Sequence, residues 1–202
     1  VFDYLDKVAT VEANMQEASR SKGTRAALDG ELKDLKYSVA QVQQFLQDIS
    51  ATRALDGLDD GFANAEEHAK AFKIHLDKAR SLAQSLGESE TQKALDTVEQ
   101  QFPPYYEAGK RMAQAYVAVG PLGGNRMMAD FDAVAEKMSV SLDSAVETNA
   151  KVRTRIESEE AAAAEKTKAD QTFFQTLMVA FGAFTIACAF AASLFTALLQ
   201  RQ

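Results

Sequence analysis

Few residues in this sequence have types and spacing suited to catalysis or metal binding. The only histidines, His68 and His75, lie seven residues apart and therefore on one face of a helix. A di-iron helical bundle needs Glu-x-x-His pairs, but Ala65 stands three residues before His68. Haem-attachment, phosphate-loop and nucleophile-elbow motifs are missing too. We predict that the chain is not an enzyme and has no catalytic residue, no cofactor and no metal site. The two histidines would lie at the surface or rim of the fold; metal ligation by them is the alternative.

A binding site for a small molecule fits the sequence better than a catalytic or metal site does. Its candidate residues are Gln43, Ser50, Arg53, Tyr105, Gly109, Tyr116 and Arg126. Gly109 shares a helix face with Tyr105 and Tyr116, and a missing side chain between two phenols leaves space with polar rims. Close helix packing against Gly109, with both tyrosines as core, is the alternative.

Two features stand out towards the end of the first helix: the positive charge of Arg53, and a stretch before it that has no charged residue. Arg53 continues the apolar face there, so its guanidinium needs an acidic ligand, a nearby Asp or the helix's own last carbonyls. Arg126 opens the fourth helix at the same end, and two arginines favour an acidic ligand. No charge occurs from Ser38 to Gln47. This favours a second covered face, against a partner or a ligand; a solvated flank is the alternative.

The elements that position these residues are helices. Apolar side chains recur in steps of three and four over 28–49, 62–86, 95–119 and 127–156, the spacing of helices packed at about 20°. Short Gly-containing breaks separate the four stretches and favour antiparallel neighbours. We predict an all-α, up-down-up-down four-helix bundle with long first and fourth helices. Pro103 and Pro104 should kink or interrupt the third helix.

Composition excludes several classes of protein. The 202 residues include no Trp, three Pro and a net charge of -7, and an acidic balance argues against nucleic-acid binding. The single cysteine, Cys188, excludes an intramolecular disulfide framework.

The C-terminal stretch differs from the rest. No charged residue occurs over 171–200, and 177–199 is almost wholly apolar. Because roughly 20 apolar residues cross a bilayer, we predict that the fourth helix continues into a transmembrane helix at 171–200. Residues 1–170 would form a helical bundle outside the span, with 1–24 and 150–170 paired as a stalk; the side of the membrane on which it lies does not follow from the flanking charges. A buried helix of a soluble fold is the alternative.

Four segments resemble the ligand-sensing region of bacterial methyl-accepting chemotaxis receptors. They are 41–53 (QVQQFLQDISATR), 56–62 (DGLDDGF), 105–113 (YYEAGKRMA) and 124–128 (GNRMM). The resemblance covers about residues 25–200. It implies a periplasmic four-helix bundle held in the bacterial inner membrane, and a homodimer through the first and fourth helices. It also implies a small-molecule ligand that displaces the last helix to control a cytoplasmic histidine kinase.

This chain lacks the first span, the linker domain and the methylated cytoplasmic hairpin of such receptors. Contact with cytoplasmic signalling partners would therefore need regions absent from it. The output is open, since histidine kinases and cyclic-nucleotide enzymes have similar sensory bundles. A tail-anchored structural or tethering protein without a ligand is the alternative from another class. Neither the ligand nor the involvement of a binding protein follows from the sequence.

Overall fold

The chain is helical throughout the residues that the structure, a computed structural model, describes. These are 2–55 and 60–199, with side chains described for 10, 12–55, 60–183 and 185. The helices are α1 (Phe2–Thr52), α2 (Gly61–Ser85), α3 (Ser89–Val119) and α4 (Pro121–Leu199), and the described residues form no strand. The all-α prediction is therefore confirmed, and the first and fourth helices are the longest, at 51 and 79 residues. Two compact units divide the chain, Val1–Arg153 and Thr154–Gln202.

The core of the first unit follows the predicted apolar spacing of α1. All seven members of that face are buried: Leu28, Leu32, Leu35, Val39, Val42, Leu46 and Ile49. Their alternating steps of four and three keep them on one side of the helix, and burying each one fully stabilises the fold by about 1.5–3 kcal/mol. Near the α3–α4 connection the apolar spacing predicts burial wrongly, because Val119 and Met127 are 63% and 39% exposed. It also missed Leu142 and Asn149, which are buried.

The part of α4 within the first unit packs through Phe131, Met138 and Ala145, which are fully buried. Polar contacts hold the same stretch to α1. Lys36 Nζ lies 2.6 Å from an Asp143 carboxylate oxygen. The Asp29 carboxylate accepts hydrogen bonds from Asn149 Nδ2 at 2.6 Å and from Arg153 Nη1 at 2.5 Å.

The α3–α4 connection is a single residue, Gly120. Its φ of +81° suits glycine, and its N–H donates to the Tyr116 carbonyl at 3.0 Å. Helix α4 then begins at Pro121, because proline has no N–H to leave unpaired in a first helical turn. By contrast, α1 and α2 are eight residues apart, and 56–59 lie outside the described residues.

Of the two outcomes predicted for Pro103 and Pro104, a kink or an interruption of the third helix, the interruption is wrong, since α3 continues through both. Each proline removes one backbone donor and frees the carbonyl four residues earlier. Those carbonyls belong to Glu99 and Gln100, which are exposed. Water can therefore satisfy them without a break in the helix.

The predicted membrane span and inner-membrane location, with its periplasmic bundle, are also wrong. Within the described part of the chain no helix has the length and apolar character needed to cross a bilayer. Gln171, Gln175 and Thr176 are polar, so the apolar stretch up to the last described side chain, Thr185, falls short of roughly 20 residues. The other side chains of the predicted span, at 184 and 186–200, lie outside the described residues. The pairing of 1–24 with 150–170 stays a prediction.

Candidate ligand-binding groove

A groove of about 400 Å³ runs between α2 and α3. Small-molecule sites commonly have volumes of roughly 300–1,000 Å³ and largely apolar walls. Its lining comes from the facing sides of the two helices: Glu66, Ala69, Lys70, Lys73, Ile74, Asp77, Phe102 and Tyr106. The size suits a molecule with one ring or a short branched chain.

Stacked aromatic rings form the floor of this groove. The ring of Phe102 lies 3.9 Å from the buried ring of Phe72 and 5.8 Å from that of Tyr106, and both pairs are nearly parallel. Such stacking adds about 0.5–1.5 kcal/mol per pair beyond the apolar area that it buries. Phe102 and Tyr106 thus give the groove two nearly parallel aromatic rings, one of them a phenol.

Charged side chains line the groove on the α2 side. Glu66 and Lys70 form an ion pair at 2.7 Å, and their hydrogen bond lowers the pKa of Glu66 and raises that of Lys70. Across the groove, Lys110 Nζ lies 5.1 Å from the centroid of the Tyr106 ring. Burial raises the pKa of the Tyr106 phenol, which therefore stays neutral at physiological pH. Lys73 is exposed and available to an anionic group.

The groove floor connects to α4 through rings in contact. Tyr105 lies fully buried, with its ring 6.0 Å from that of Phe102 and 5.7 Å from that of Phe131 on α4. We call Phe72, Phe102, Tyr105 and Phe131 the aromatic chain. The Tyr105 hydroxyl donates to the Val39 carbonyl at 2.9 Å, which fixes the ring between α1, α3 and α4. Burial raises the pKa of this phenol well above its usual range.

Gly109, on α3, packs against side chains of α1 and α4. A Cβ atom there would lie 2.7 Å from Leu46 Cδ1 and 2.9 Å from Phe131 Cε2. Side chains therefore fill the space beside Gly109, and close helix packing, the alternative reading of this glycine, describes the geometry. A ligand at Gly109 would have to displace Leu46 or Phe131.

The other predicted binding residues lie on α1 or near the α3–α4 connection. Gln43 and Ser50 are half-buried on α1. Arg53 is exposed just beyond the end of α1, with a φ of +53°, and its Nη2 lies 3.5 Å from where a Cβ of Gly120 would stand. The Arg53 N–H donates to the Ile49 carbonyl at 2.8 Å. Its guanidinium thus reaches the α3–α4 connection, with the side chain exposed.

Tyr116 lies at the same end of the unit. It is buried, and its hydroxyl donates to Asn125 Oδ1 at 2.5 Å. Arg126, the next residue, is exposed. Arg53 and Tyr116 thus lie at the same end of the unit, whereas Tyr105 and Gly109 lie nearer the groove. None of the seven predicted residues lines the groove, and the sequence contains no motif at Phe102 or Tyr106 that identifies it.

A second cluster of polar side chains joins α1 to α2. Its members are Glu31, Asp34 and His75, whose donor atoms all lie within 4.8 Å of one another. His75 Nδ1 is 2.7 Å from Glu31 Oε2 and 3.8 Å from Asp34 Oδ2. This set of one imidazole and two carboxylates can ligate a divalent cation. The prediction of no metal site rested on ligand motifs that are recognisable within one helix, whereas this cluster combines side chains from two helices.

The other histidine lies in a different setting. The His68 ring stacks on Phe45 at 5.6 Å and meets Tyr37 edge-on at 5.8 Å. Packing of this kind covers the Phe45 flank of α1 within the same chain.

Comparisons with protein-family models, with curated proteins and with solved structures found no match to this chain.

Proposed function

We propose that this chain is the sensory input module of a chemoreceptor-type signalling protein. It binds a small solute in the α2–α3 groove and passes the event to α4. The observation that supports this most is the aromatic chain, because it joins the groove floor to α4 through contacts between buried or partly buried rings. The resemblance to chemotaxis receptors supports the same function.

The solute has an apolar, ring-sized body and at least one charged group. Its body stacks on Phe102 and Tyr106, because a flat apolar surface gains most from a flat partner. Its charged group meets Lys73 or Asp77 at the α2 side of the groove. One ring with a short charged arm satisfies both the volume and the charges.

Transmission follows from tight packing. A solute that shifts the Phe102 ring also shifts Tyr105, which is fully buried, because protein interiors are close-packed. Tyr105 in turn presses on Phe131, which is also fully buried and packs beside Gly109. The solute changes the position of α4 only to the extent that it binds one arrangement more tightly than the other.

We propose an up-down-up-down order for the four helices. Contacts between neighbouring helices support antiparallel pairing, because residue numbers rise on one helix as they fall on the other. Glu31 pairs with His75 and Phe45 with His68 between α1 and α2. Between α3 and α4, Tyr116 contacts Asn125.

We propose, in addition, that the module functions as a homodimer through α1 and α4. The charge-free stretch of α1 supports this, since Ala40 and Gln44 within it are exposed and interface cores are depleted of charge. Sedimentation should show a dimer that Ala40→Glu weakens. A monomer at all concentrations would count against this contact.

Binding can be tested with three probes that share one ring and differ in charge. Phenylacetate, phenylalanine and phenethylamine carry an anion, a zwitterion and a cation, and thermal unfolding is measured with each. A bound probe raises the unfolding temperature of the chain. We expect Lys73→Ala to reduce the response to the anion, whereas Lys93→Ala, an exposed lysine outside the groove, leaves it unchanged. No response to any probe would refute the groove as the site.

Transmission is tested by amide hydrogen exchange with the best probe bound. We expect altered protection in α4 over 121–153 as well as in α2 and α3, because local opening reports helix packing. Phe131→Leu should keep binding and lose the response in α4. Met138→Leu, an equally buried change outside the aromatic chain, should keep both. A response confined to α2 and α3 in the unmodified chain would show that binding is not transmitted.

A further inference from the structure

We propose that Glu31, Asp34 and His75 form a binding site for a divalent transition metal, with Zn²⁺ as its representative ion. The three side chains come from two helices, and their donor atoms already converge within 4.8 Å. The metal would join α1 to α2. This proposal is independent of the groove, which none of the three residues lines.

The donor atoms need only a small adjustment to ligate Zn²⁺. Bonds of roughly 2.0–2.2 Å in a tetrahedron place neighbouring donors roughly 3.3 Å apart. The His75 Nδ1 atom is now 2.7 Å from Glu31 Oε2 and 3.8 Å from Asp34 Oδ2. The third separation, between Glu31 and Asp34, is at most 4.8 Å. Side-chain movements on the order of 1–1.5 Å would therefore bring the three donors to these separations.

The surroundings favour a partly dry site with an open coordination position. The side chains of Glu31 and His75 are 19% and 23% exposed, while that of Asp34 is 57% exposed. Three protein ligands with one position left to water is a common zinc arrangement. The ion would take the place of the hydrogen bond between His75 Nδ1 and Glu31 Oε2.

Lys78 competes with the metal for one ligand. Its Nζ lies 3.7 Å from Glu31 Oε1 and is half-exposed. A bound cation repels this ammonium, which must turn away into solvent. Removing the Lys78 charge should therefore tighten metal binding, an effect opposite to that of any ligand substitution.

Titration calorimetry of the full chain with ZnCl₂ tests the site, with MgCl₂ as the comparison ion. We expect one Zn²⁺ per chain and no binding of Mg²⁺, which prefers an octahedral oxygen shell. His75→Ala should weaken binding at least about tenfold, a loss typical of damage to a metal site. His68→Ala, which removes the other histidine, should leave the Zn²⁺ affinity unchanged.

Two further variants keep the test decisive if His75→Ala unfolds the chain. Asp34→Asn alters the most exposed ligand, which leaves the fold intact, and should weaken Zn²⁺ binding. Lys78→Ala should strengthen it. Absence of Zn²⁺ binding overturns the proposal. So does binding that Asp34→Asn and His75→Ala leave unchanged, or that His68→Ala reduces equally.

Discussion

Replacing Gly109 with alanine tests the tight contact between α1, α3 and α4. The new Cβ would lie 2.7 Å from Leu46 Cδ1 and 2.9 Å from Phe131 Cε2. Both side chains are fully buried and cannot move into solvent. Overpacking of this kind costs about 1–3 kcal/mol of unfolding free energy. The better helix propensity of alanine returns about 0.5–1 kcal/mol, so the net change is a loss of about 0–2.5 kcal/mol.

The matched control is Gly30→Ala. Gly30 also lies inside a helix, but nothing stands within 4 Å of its added Cβ. This variant should gain about 0.5–1 kcal/mol from propensity alone. The two variants should therefore differ by about 1–3 kcal/mol, the cost of overpacking.

Urea unfolding followed by tyrosine fluorescence measures this difference. A lower midpoint with an unchanged slope reports lost stability rather than a changed unfolded state. On a Leu46→Ala background the clash with Leu46 disappears, so Gly109→Ala should cost at least about 0.5 kcal/mol less than in the unmodified chain. If Gly109→Ala and Gly30→Ala unfold at the same midpoint, the three helices do not pack as closely as described.

Two other substitutions test the burial of Tyr105 and of the Arg25–Glu88 ion pair. Above about pH 10 an unfolded Tyr105 ionises while the buried phenol stays protonated, because its folded-state pKa is raised. The unfolding free energy should therefore fall as the pH rises, and Tyr105→Phe should make this fall shallower above about pH 10; an unchanged slope there would contradict the burial. Arg25→Ala leaves the buried Glu88 carboxylate without its cation, which should cost about 2–4 kcal/mol in urea unfolding. Lys70→Ala, from an exposed pair, is the control and should change stability little; an equal loss in both would contradict the role of burial.

The apolar spacing of α1 was sufficient to predict its buried face, because helix geometry alone decides which side chains share a side. Leu28, Leu35 and Leu46 on that face are fully buried. The same reasoning was less successful at Val119 and Met127. Both continue the spacing of their helices, but near the α3–α4 connection the described residues leave them largely or partly exposed. Periodicity predicts which side chains face together, and only the extent of the neighbouring helix decides whether they are covered.

The groove and the Glu31–Asp34–His75 cluster were beyond such reasoning. Each depends on the register between two helices, that is, on which residues of α1 or α3 lie opposite a given residue of α2. Eight residues separate α1 from α2, and a connection of that length permits several registers. Sequence spacing therefore placed His75 on a helix face but did not identify the carboxylates that face it.

The single-residue connection at Gly120 restricts how this chain can vary. One residue of an α-helix turns by roughly 100°, so a one-residue insertion or deletion at the start of α4 that the Gly120 turn does not absorb would rotate the α4 side chains of the first unit by that angle relative to α3. Phe131 would leave its place against Tyr105 and polar neighbours would enter the core. The α1–α2 connection has eight residues to absorb such a change. Natural variants and grafted peptides should thus be tolerated between α1 and α2, and selected against between α3 and α4.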